Sequence, residues 1–185
     1  MPPIARTVSA AACLLASGPA FAAGFALKEQ SASALGSAFA GATAEAVDVS
    51  HMFFNPAGLA RHAGTRAAVV GSYVAPESVF SGGRATTFSG APISGRGSGT
   101  DIGRDALLPA LYGRWELPGR LSAGLGVTSP WGLETNNPEG WIGRYHALDS
   151  RLTTVNLNPA LAWRASDRLA VGAGLQLQYM DGELS

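Results

Sequence analysis

Apolar and polar residues alternate with a period of two along much of the chain after residue 65. In residues 121–127 the odd positions are apolar, whereas the even positions are small or polar. The same parity returns in residues 155–163 and 169–179. Because successive side chains of a β-strand point to opposite faces of its sheet, this period predicts three strands with one apolar face each.

Two further stretches predict strands with a less regular pattern. Residues 107–115 alternate, but Leu108 and Tyr112 occupy positions that the pattern assigns to the polar face. Residues 66–74 are mostly apolar and their alternation is ambiguous. The chain is therefore predicted to contain about five strands.

The second face of the predicted strands distinguishes two classes of β protein. A soluble sandwich usually carries Lys, Glu and Arg on its outer face, whereas here that face carries Gly, Ser, Thr, Asn and Gln. Strands of about ten residues with this alternation are typical of a transmembrane β-barrel with a polar interior. Trp115 and Trp163 stand beside short turns and predict an aromatic girdle at one membrane interface. The long segments 76–104 and 132–150 predict external loops at the other end.

The first 22 residues are typical of a secretory signal peptide. They combine the cationic Arg6, an apolar stretch, a break at Gly18 and Pro19, and a small-x-small cleavage site at 20–22. The break leaves the apolar run well short of the ~20 residues that span a bilayer, which disfavours a transmembrane helix. Residues 23–60 are rich in Ala, Ser and Gly. They are predicted to form short helices that pack inside another structure, because they hold too few large side chains for a core of their own.

Composition excludes several classes of function. The 13 basic and 13 acidic residues leave no electrostatic footprint for a nucleic acid. The only cysteine, Cys13, lies in the predicted signal peptide, so the mature chain has no thiol chemistry. His51, His62 and His146 show no metal-ligand spacing, and no Gly-x-Ser-x-Gly nucleophile motif is present. We therefore expect no metal, no cofactor and no enzymatic activity.

A series of short motifs follows the predicted signal peptide. It begins with Ala-Gly-Phe-Ala-Leu at 23–27 and ends with Phe-Asn-Pro-Ala-Gly-Leu at 54–59. Between and after these runs stand Glu29, Ser31, Ser33, Leu-Gly at 35–36, Ala-Phe-Ala-Gly at 38–41, Ser-Pro-Trp-Gly at 129–132 and Asn-Leu-Asn at 156–158. In order and spacing, these motifs resemble the FadL family of outer-membrane transporters for long-chain fatty acids and other hydrophobic compounds.

The resemblance implies a fourteen-stranded transmembrane β-barrel that is plugged by a small α-helical N-terminal hatch. It divides the chain into a signal peptide at 1–22, the hatch at 23–62 and the first part of the barrel at 63–185. Single-chain barrels start at about eight strands, so five strands are expected to belong to a longer protein. That protein is expected to be a monomer, embedded in the outer-membrane lipid of a Gram-negative-type bacterium.

The resemblance also implies roles for two places in the hatch. Asn55, Pro56 and Ala57 predict a rigid turn, because proline fixes its own φ and restricts the residue before it. In the family this motif lies near the route of the substrate, which implies a part in gating; a purely structural turn is the alternative. Phe25 is predicted either to reach into an apolar substrate pocket or to fill a gap in the core.

Two further places lie in the barrel. Pro130 removes a ladder hydrogen bond and, with Gly132, predicts a kink in the third strand. In the family such a kink makes a lateral opening toward lipid; the alternative is a strand that simply ends there. Trp141 and Arg144 are candidates for capturing an apolar tail and its carboxylate, with Arg151 as a second cation. A solvated loop with an interfacial aromatic cluster is the alternative for these residues.

The resemblance, together with the pattern, predicts passive uptake of long-chain fatty acids or other hydrophobic molecules. The hatch would gate this uptake, and the substrate would leave sideways through the wall. A structural or adhesive outer-membrane barrel without transport is the alternative function.

Overall fold

Seven strand segments in one antiparallel sheet form the wall of the molecule in a computed structural model, which describes residues 26–99 and 101–185. The predicted signal peptide and Phe25 lie outside the described residues. The segments are β1 Arg66–Val74, β2 Ala106–Leu117, β3 Leu121–Thr128, β4 Gly132–Asn136, β5 Asp149–Arg164, β6 Ala170–Gly174 and β7 Leu177–Leu184. No helix in the described part is long and apolar enough to cross a membrane.

The seven segments make up five strands. β3 and β4 both pair with one edge of β5, while β6 and β7 both pair with its other edge. β1 pairs with β2, and β2 pairs with β3. The predicted all-β wall of about five strands is therefore confirmed. The predicted loop at 132–150 is shorter than expected, because β4 continues the third strand and β5 begins at Asp149.

A proline explains the break between β6 and β7. The two segments keep one register along β5, so Leu175 lies opposite Pro159. Leu175 N donates to Pro159 O at 3.0 Å, but Pro159 has no N–H to return the bond. The side chain of Asn158 donates to Leu175 O at 2.6 Å instead. The wall thus keeps its ladder satisfied across the proline.

The break between β3 and β4 is a bulge. Thr128 pairs with Asn156 and Gly132 pairs with Thr153, so three residues lie between the segments and only two lie opposite them on β5. One extra residue in a strand bends it and interrupts its pairing. The third strand is therefore interrupted at Ser129, Pro130 and Trp131 and resumes at Gly132.

The sheet exposes its apolar face and buries its polar face, which is the reverse of a soluble protein. The exposed face carries large apolar side chains, among them Val69, Leu107, Leu111, Trp115, Val155, Leu161 and Trp163. The opposite face buries polar side chains, namely Ser72, Arg114, Ser122, Thr128, Thr154, Asn156 and Asn158. Apolar area on this scale is stable only when it is removed from water. The outer face is therefore the lipid-facing surface of a barrel wall, and the inner face is its lumenal side.

The height of the apolar face fits a bilayer. Leu107 and Trp115 lie on the exposed face of β2. They are eight residues apart, which corresponds to about 26 Å along a strand. Outer-membrane barrels present an apolar band ~25 Å tall between their two aromatic girdles. Tyr73, which pairs with Leu107, and Trp115 stand at the two ends of this band.

Three short helices lie on the inner face, in the part of the chain that is predicted to be the hatch; the name is used below for residues 26–62. They are α1 Ala32–Gly36 and two 3₁₀ helices, Val49–Phe53 and Pro56–Arg61. Their buried residues Val49, Met52, Leu59 and Ala60 pack against apolar residues of the wall, which are Val70, Ala110, Tyr112, Ala160 and Ala162. The core therefore lies between hatch and wall, and the small side chains of the wall let the hatch approach closely.

Asp48 fixes the start of the first 3₁₀ helix. Its Oδ1 accepts hydrogen bonds from Ser50 N at 2.7 Å and from Ser50 Oγ at 2.5 Å. Burial alone would raise the pKa of the carboxyl, but hydrogen bonds from Ser50 and Ser33 outweigh burial and lower the pKa below its ordinary value. The Asp48 carboxylate is therefore ionised at neutral pH. Its negative charge stabilises the N–H groups at the start of the helix that have no partner within the helix.

The loop lengths give a testable topology. Short periplasmic turns and long external loops are the rule in bacterial barrels, so the loops at 75–105 and 137–148 are expected to face outside. Single cysteines at the exposed positions Ser89 and Glu139 should therefore react with a membrane-impermeant maleimide on intact cells that make the full-length protein. Asp167→Cys, in the turn between β5 and β6, is the control and should stay unlabelled. Labelling of Asp167→Cys alone would show the opposite orientation.

Candidate functional site

The turn Asn55–Pro56–Ala57 rests directly on the wall. Asn55 Oδ1 accepts a hydrogen bond from Ala57 N at 3.0 Å, and Asn55 Nδ2 donates to Thr43 O at 2.8 Å. Pro56 opens the second 3₁₀ helix, where its fixed φ and missing N–H carry no cost. A Cβ atom on Gly172 of β6 would lie 2.3 Å from Ala57 N and 2.6 Å from Pro56 C. The hatch therefore reaches this position only because the wall residue is glycine.

A second glycine admits the apolar side of the same helix. A Cβ atom on Gly124 of β3 would lie 2.5 Å from Leu59 Cδ1 and 3.1 Å from Met52 Cε. Leu59 and Met52 are each only 1% exposed. Because Gly124 and Gly172 have no side chains, the C-terminal half of the hatch can lie directly against β3 and β6.

Two wall arginines bind the C-terminal end of the second 3₁₀ helix. Arg114, which is 3% exposed, donates from Nε to Leu59 O at 3.1 Å and from Nη2 to Ser122 Oγ at 2.7 Å, and it also bonds Gly64 O. Arg164 donates from Nε to Ala60 O at 2.9 Å. Cations at a helix C-terminus satisfy carbonyls that have no partner within the helix. We call this pair the arginine anchor.

The wall opens at the other end of the hatch. Residues 106–110 of β2 pair with β1, but the ladder between β2 and β3 begins only at Leu111 and Val127. Beyond that point the bulged residues 129–131 have no partner on β2. We call the space between residues 106–110 and residues 129–132 the wall gap.

The N-terminal segment of the hatch bonds to the wall gap. Leu27 N donates to Pro130 O at 2.9 Å, and Ala26 forms a bridge with Trp131. The side chain of Gln30 donates to Ser129 O at 2.7 Å and accepts from Ser129 N at 3.2 Å. Residues 26–30 therefore provide the bulged segment with the partners that β2 does not supply.

A cavity of about 410 Å³ lies at the wall gap. We call it the gap cavity. Apolar side chains from the hatch, from β2 and from the third strand line it, among them Leu27, Leu108, Trp131, Leu133 and Leu152. Leu108 is an apolar residue at a position of β2 that the alternation assigns to the polar face, and the structure shows that it belongs to this apolar lining. The inner face beside the wall gap is therefore lined in part by apolar side chains.

Charged residues border the gap cavity. Arg104, Asp105, Glu134 and Arg151 line it. Arg151 Nε lies 3.8 Å from Glu134 Oε2, and both side chains are more than half exposed. An exposed ion pair of this kind is worth little, so the guanidinium of Arg151 can exchange its partner for another carboxylate at small cost.

The loop residues Trp141 and Arg144 lie apart from the gap cavity. Trp141 packs against Phe80 with ring centroids 5.7 Å apart, and Arg144 lies 4.7 Å above the Tyr145 ring. Arg144 Nη1 also donates to Ser94 O at 3.1 Å and to Trp141 O at 3.0 Å. These bonds join the two long loops to each other. The structure brings Gly132 to the gap cavity, with Pro130 in the bulge beside it. It places Asn55–Ala57 on β6 and leaves Trp141 and Arg144 in the loops.

Several contact residues were missed by the sequence reasoning. Arg114 carries a signal that was available, since it is a charge at a lumenal position of the predicted strand 107–115. Arg164 directly follows the predicted strand 155–163 and continues the parity of its polar face. Gln30 and Gly172 carry no local signal, because their partners lie far away in the chain. In the described part of the chain, no group of three His, Cys, Asp or Glu residues could hold a metal ion.

A family model supports the resemblance of the N-terminal motifs. The model described as outer membrane protein transport protein (OMPP1/FadL/TodX) matches residues 13–185. The chain belongs to this family. It is accordingly an outer-membrane protein, and its inverted sheet is part of a FadL-type β-barrel.

Curated and solved relatives agree with this assignment. An outer membrane protein of Neisseria meningitidis serogroup B is 33% identical over 141 residues, which cover 76% of this chain and 30% of the relative. The long-chain fatty acid transport protein of Escherichia coli K12 is 29% identical over 175 residues, covering 94% and 37%. The crystal structure of a Pseudomonas aeruginosa FadL homologue matches with a TM-score of 0.75 at 27% identity, covering 86% and 38%. The chain thus spans between 30% and 41% of the length of the first curated relatives it matches.

Proposed function

We propose that the protein containing this chain takes up long-chain fatty acids or similar hydrophobic molecules through the outer membrane by passive diffusion. The observation that carries the proposal is the gap cavity, an apolar chamber placed where the lumen meets an interruption of the wall. A fatty acid needs an apolar site for its tail and one cation or donor for its carboxylate. Leu108, Leu133 and Leu152 supply the first, and Arg104 or Arg151 supplies the second.

The proposed route ends sideways in the membrane. Ordered backbone facing lipid must be satisfied by hydrogen bonds, and at the wall gap those bonds come from the hatch instead of from a neighbouring strand. Release of the hatch segment 26–30 would open a path from the gap cavity into the bilayer without breaking a strand. Pro130 and Gly132 flank Trp131 at this exit. Phe25 directly precedes the segment, and its part in substrate binding stays a prediction.

The hatch is proposed to gate this route while its C-terminal half stays fixed to the wall. Asn55, Pro56 and Ala57 hold the C-terminal half of the hatch on Gly172, so movement would be confined to the N-terminal half. The two long loops, with Trp141 and Arg144, are proposed as the outer surface where substrate is first captured. Arg144 already bonds two carbonyls in these loops, which supports a part in ordering this surface in addition to the proposed binding of a carboxylate.

An uptake assay tests the proposed function. Cells that make the full-length protein should take up a radiolabelled long-chain fatty acid and deliver it chemically unchanged, whereas an enzyme would yield a modified product. Leu152→Gln places an unpaired amide in the apolar lining and should slow uptake about tenfold, because a polar group desolvated without a partner costs about 1–3 kcal/mol.

Leu161→Gln is the matched control for Leu152→Gln. It is the same substitution on the same strand, but Leu161 lies on the exposed outer face and away from the gap cavity, so its replacement should leave uptake within about twofold. Equal surface abundance of all proteins is confirmed by their heat-modifiable bands. Uptake that does not depend on the protein at all would contradict transport and favour a structural or adhesive barrel.

A further inference from the structure

We propose that the side chain of Gln30 is the latch that holds the wall gap closed. The inference rests on the proposed function only in that the wall gap is the exit; the closure itself is a property of the hatch and wall contacts. Gln30 is 0% exposed, although it is a polar residue in a short irregular segment. A polar side chain is buried in this way only when its hydrogen bonds are satisfied.

The Gln30 amide acts as a substitute for a strand residue. A primary amide carries a donor and an acceptor, as a peptide group does. Its Nε2 donates to Ser129 O at 2.7 Å, and its Oε1 accepts from Ser129 N at 3.2 Å. Ser129 is the first residue of the bulge, where pairing with β2 has ended. One side chain therefore satisfies both backbone groups of the residue at which the ladder opens.

The backbone around Gln30 is tied to the opposite side of the wall gap. Tyr112 Oη of β2 donates to Gln30 O at 2.8 Å. Ser72 Oγ of β1 donates to Glu29 O at 2.7 Å. The latch thus connects the two sides of the wall gap, with β1 and β2 on one side and the bulged third strand on the other.

The contacts of Gln30 are neutral, which suits a reversible closure. Two neutral hydrogen bonds together change an equilibrium by about 5- to 150-fold. Such a contact keeps the wall gap closed most of the time and allows frequent opening. Opening exposes Ser129 N–H, so the exchange rate of this amide with deuterated solvent reports the latch without an added label.

Hydrogen exchange of the full-length protein in lipid nanodiscs tests the latch. Gln30→Met keeps the length of the side chain and removes both bonds. It should speed exchange in the peptide containing Ser129 about tenfold and raise the initial rate of fatty-acid uptake. Lys28→Met is the matched control, because Lys28 is exposed on the same segment, and it should leave the exchange rate unchanged.

A second variant keeps the test decisive if Gln30→Met fails to assemble. Tyr112→Phe removes only the hydroxyl that bonds Gln30 O and should speed the same exchange about threefold to tenfold. Unchanged exchange at Ser129 in an assembled Gln30→Met protein, or in Tyr112→Phe where Gln30→Met does not assemble, would overturn the latch. Faster exchange with unchanged uptake would support the latch and contradict the wall gap as the exit.

Discussion

Gly172→Ala is expected to lift the turn Asn55–Pro56–Ala57 off β6 while the barrel still assembles. The added Cβ would lie 2.3 Å from Ala57 N and 2.6 Å from Pro56 C. These are backbone atoms, and they cannot turn away as the end of a flexible side chain can. Overpacking of this kind costs about 1–3 kcal/mol, which shifts the ratio of seated to displaced hatch by about 5- to 150-fold. Single-channel conductance in planar bilayers should rise accordingly.

Gly71→Ala is the matched control for Gly172→Ala. Gly71 is also a strand glycine, on β1, but a Cβ atom there has no neighbour within 4 Å. It should therefore leave conductance at the wild-type value, while both proteins show a folded, heat-modifiable barrel. A wild-type conductance for Gly172→Ala would show that the turn has room to move and that Gly172 is not its seat.

The strands could be predicted because the two faces of the wall meet different solvents. Lipid selects large apolar residues on one face, and the lumen selects small or polar ones on the other, so the period of two is visible without any partner strand. The exception at Leu108 has the same origin. It faces the gap cavity, where the lumenal side is apolar, and an apparent flaw in the pattern therefore marked part of the candidate site.

The breaks within the predicted strands could not be predicted from the sequence, because they depend on which residues of the neighbouring strands lie opposite them. Pro159 is visible in the sequence, yet only its position opposite Leu175 explains why one predicted strand divides into β6 and β7. Gln30 and Ser129 are 99 residues apart, and nothing local to either residue announces the contact. Long-range contacts of this kind depend on the position of the hatch in the lumen. Glycines of the wall, such as Gly124 and Gly172, determine how closely the hatch approaches it.

Arg114→Met is expected to free the C-terminal end of the hatch. Arg114 is buried and donates to Leu59 O, Gly64 O and Ser122 Oγ. Hydrogen bonds from a charged group contribute about 1.5–3 kcal/mol each, and methionine fills a similar volume without any donor. Two of these bonds, to Leu59 O and Gly64 O, hold the hatch and together contribute about 3–6 kcal/mol. Their loss should speed amide exchange at residues 58–64 of the full-length protein by at least about a hundredfold, since every ~1.4 kcal/mol is tenfold.

Arg120→Met is the control for the Arg114 variant, because it removes the same charge from an exposed position in the turn after β2. Exchange at residues 58–64 should then stay at its wild-type rate.

The peptide containing Ser129 offers a second comparison, since the arginine anchor and the latch hold opposite ends of the hatch. If the hatch moves as a hinge about its anchored end, Arg114→Met should change exchange at residues 58–64 far more than at Ser129, and Gln30→Met should do the reverse. Equal acceleration at both ends in either variant would show instead that the hatch leaves the wall as one unit.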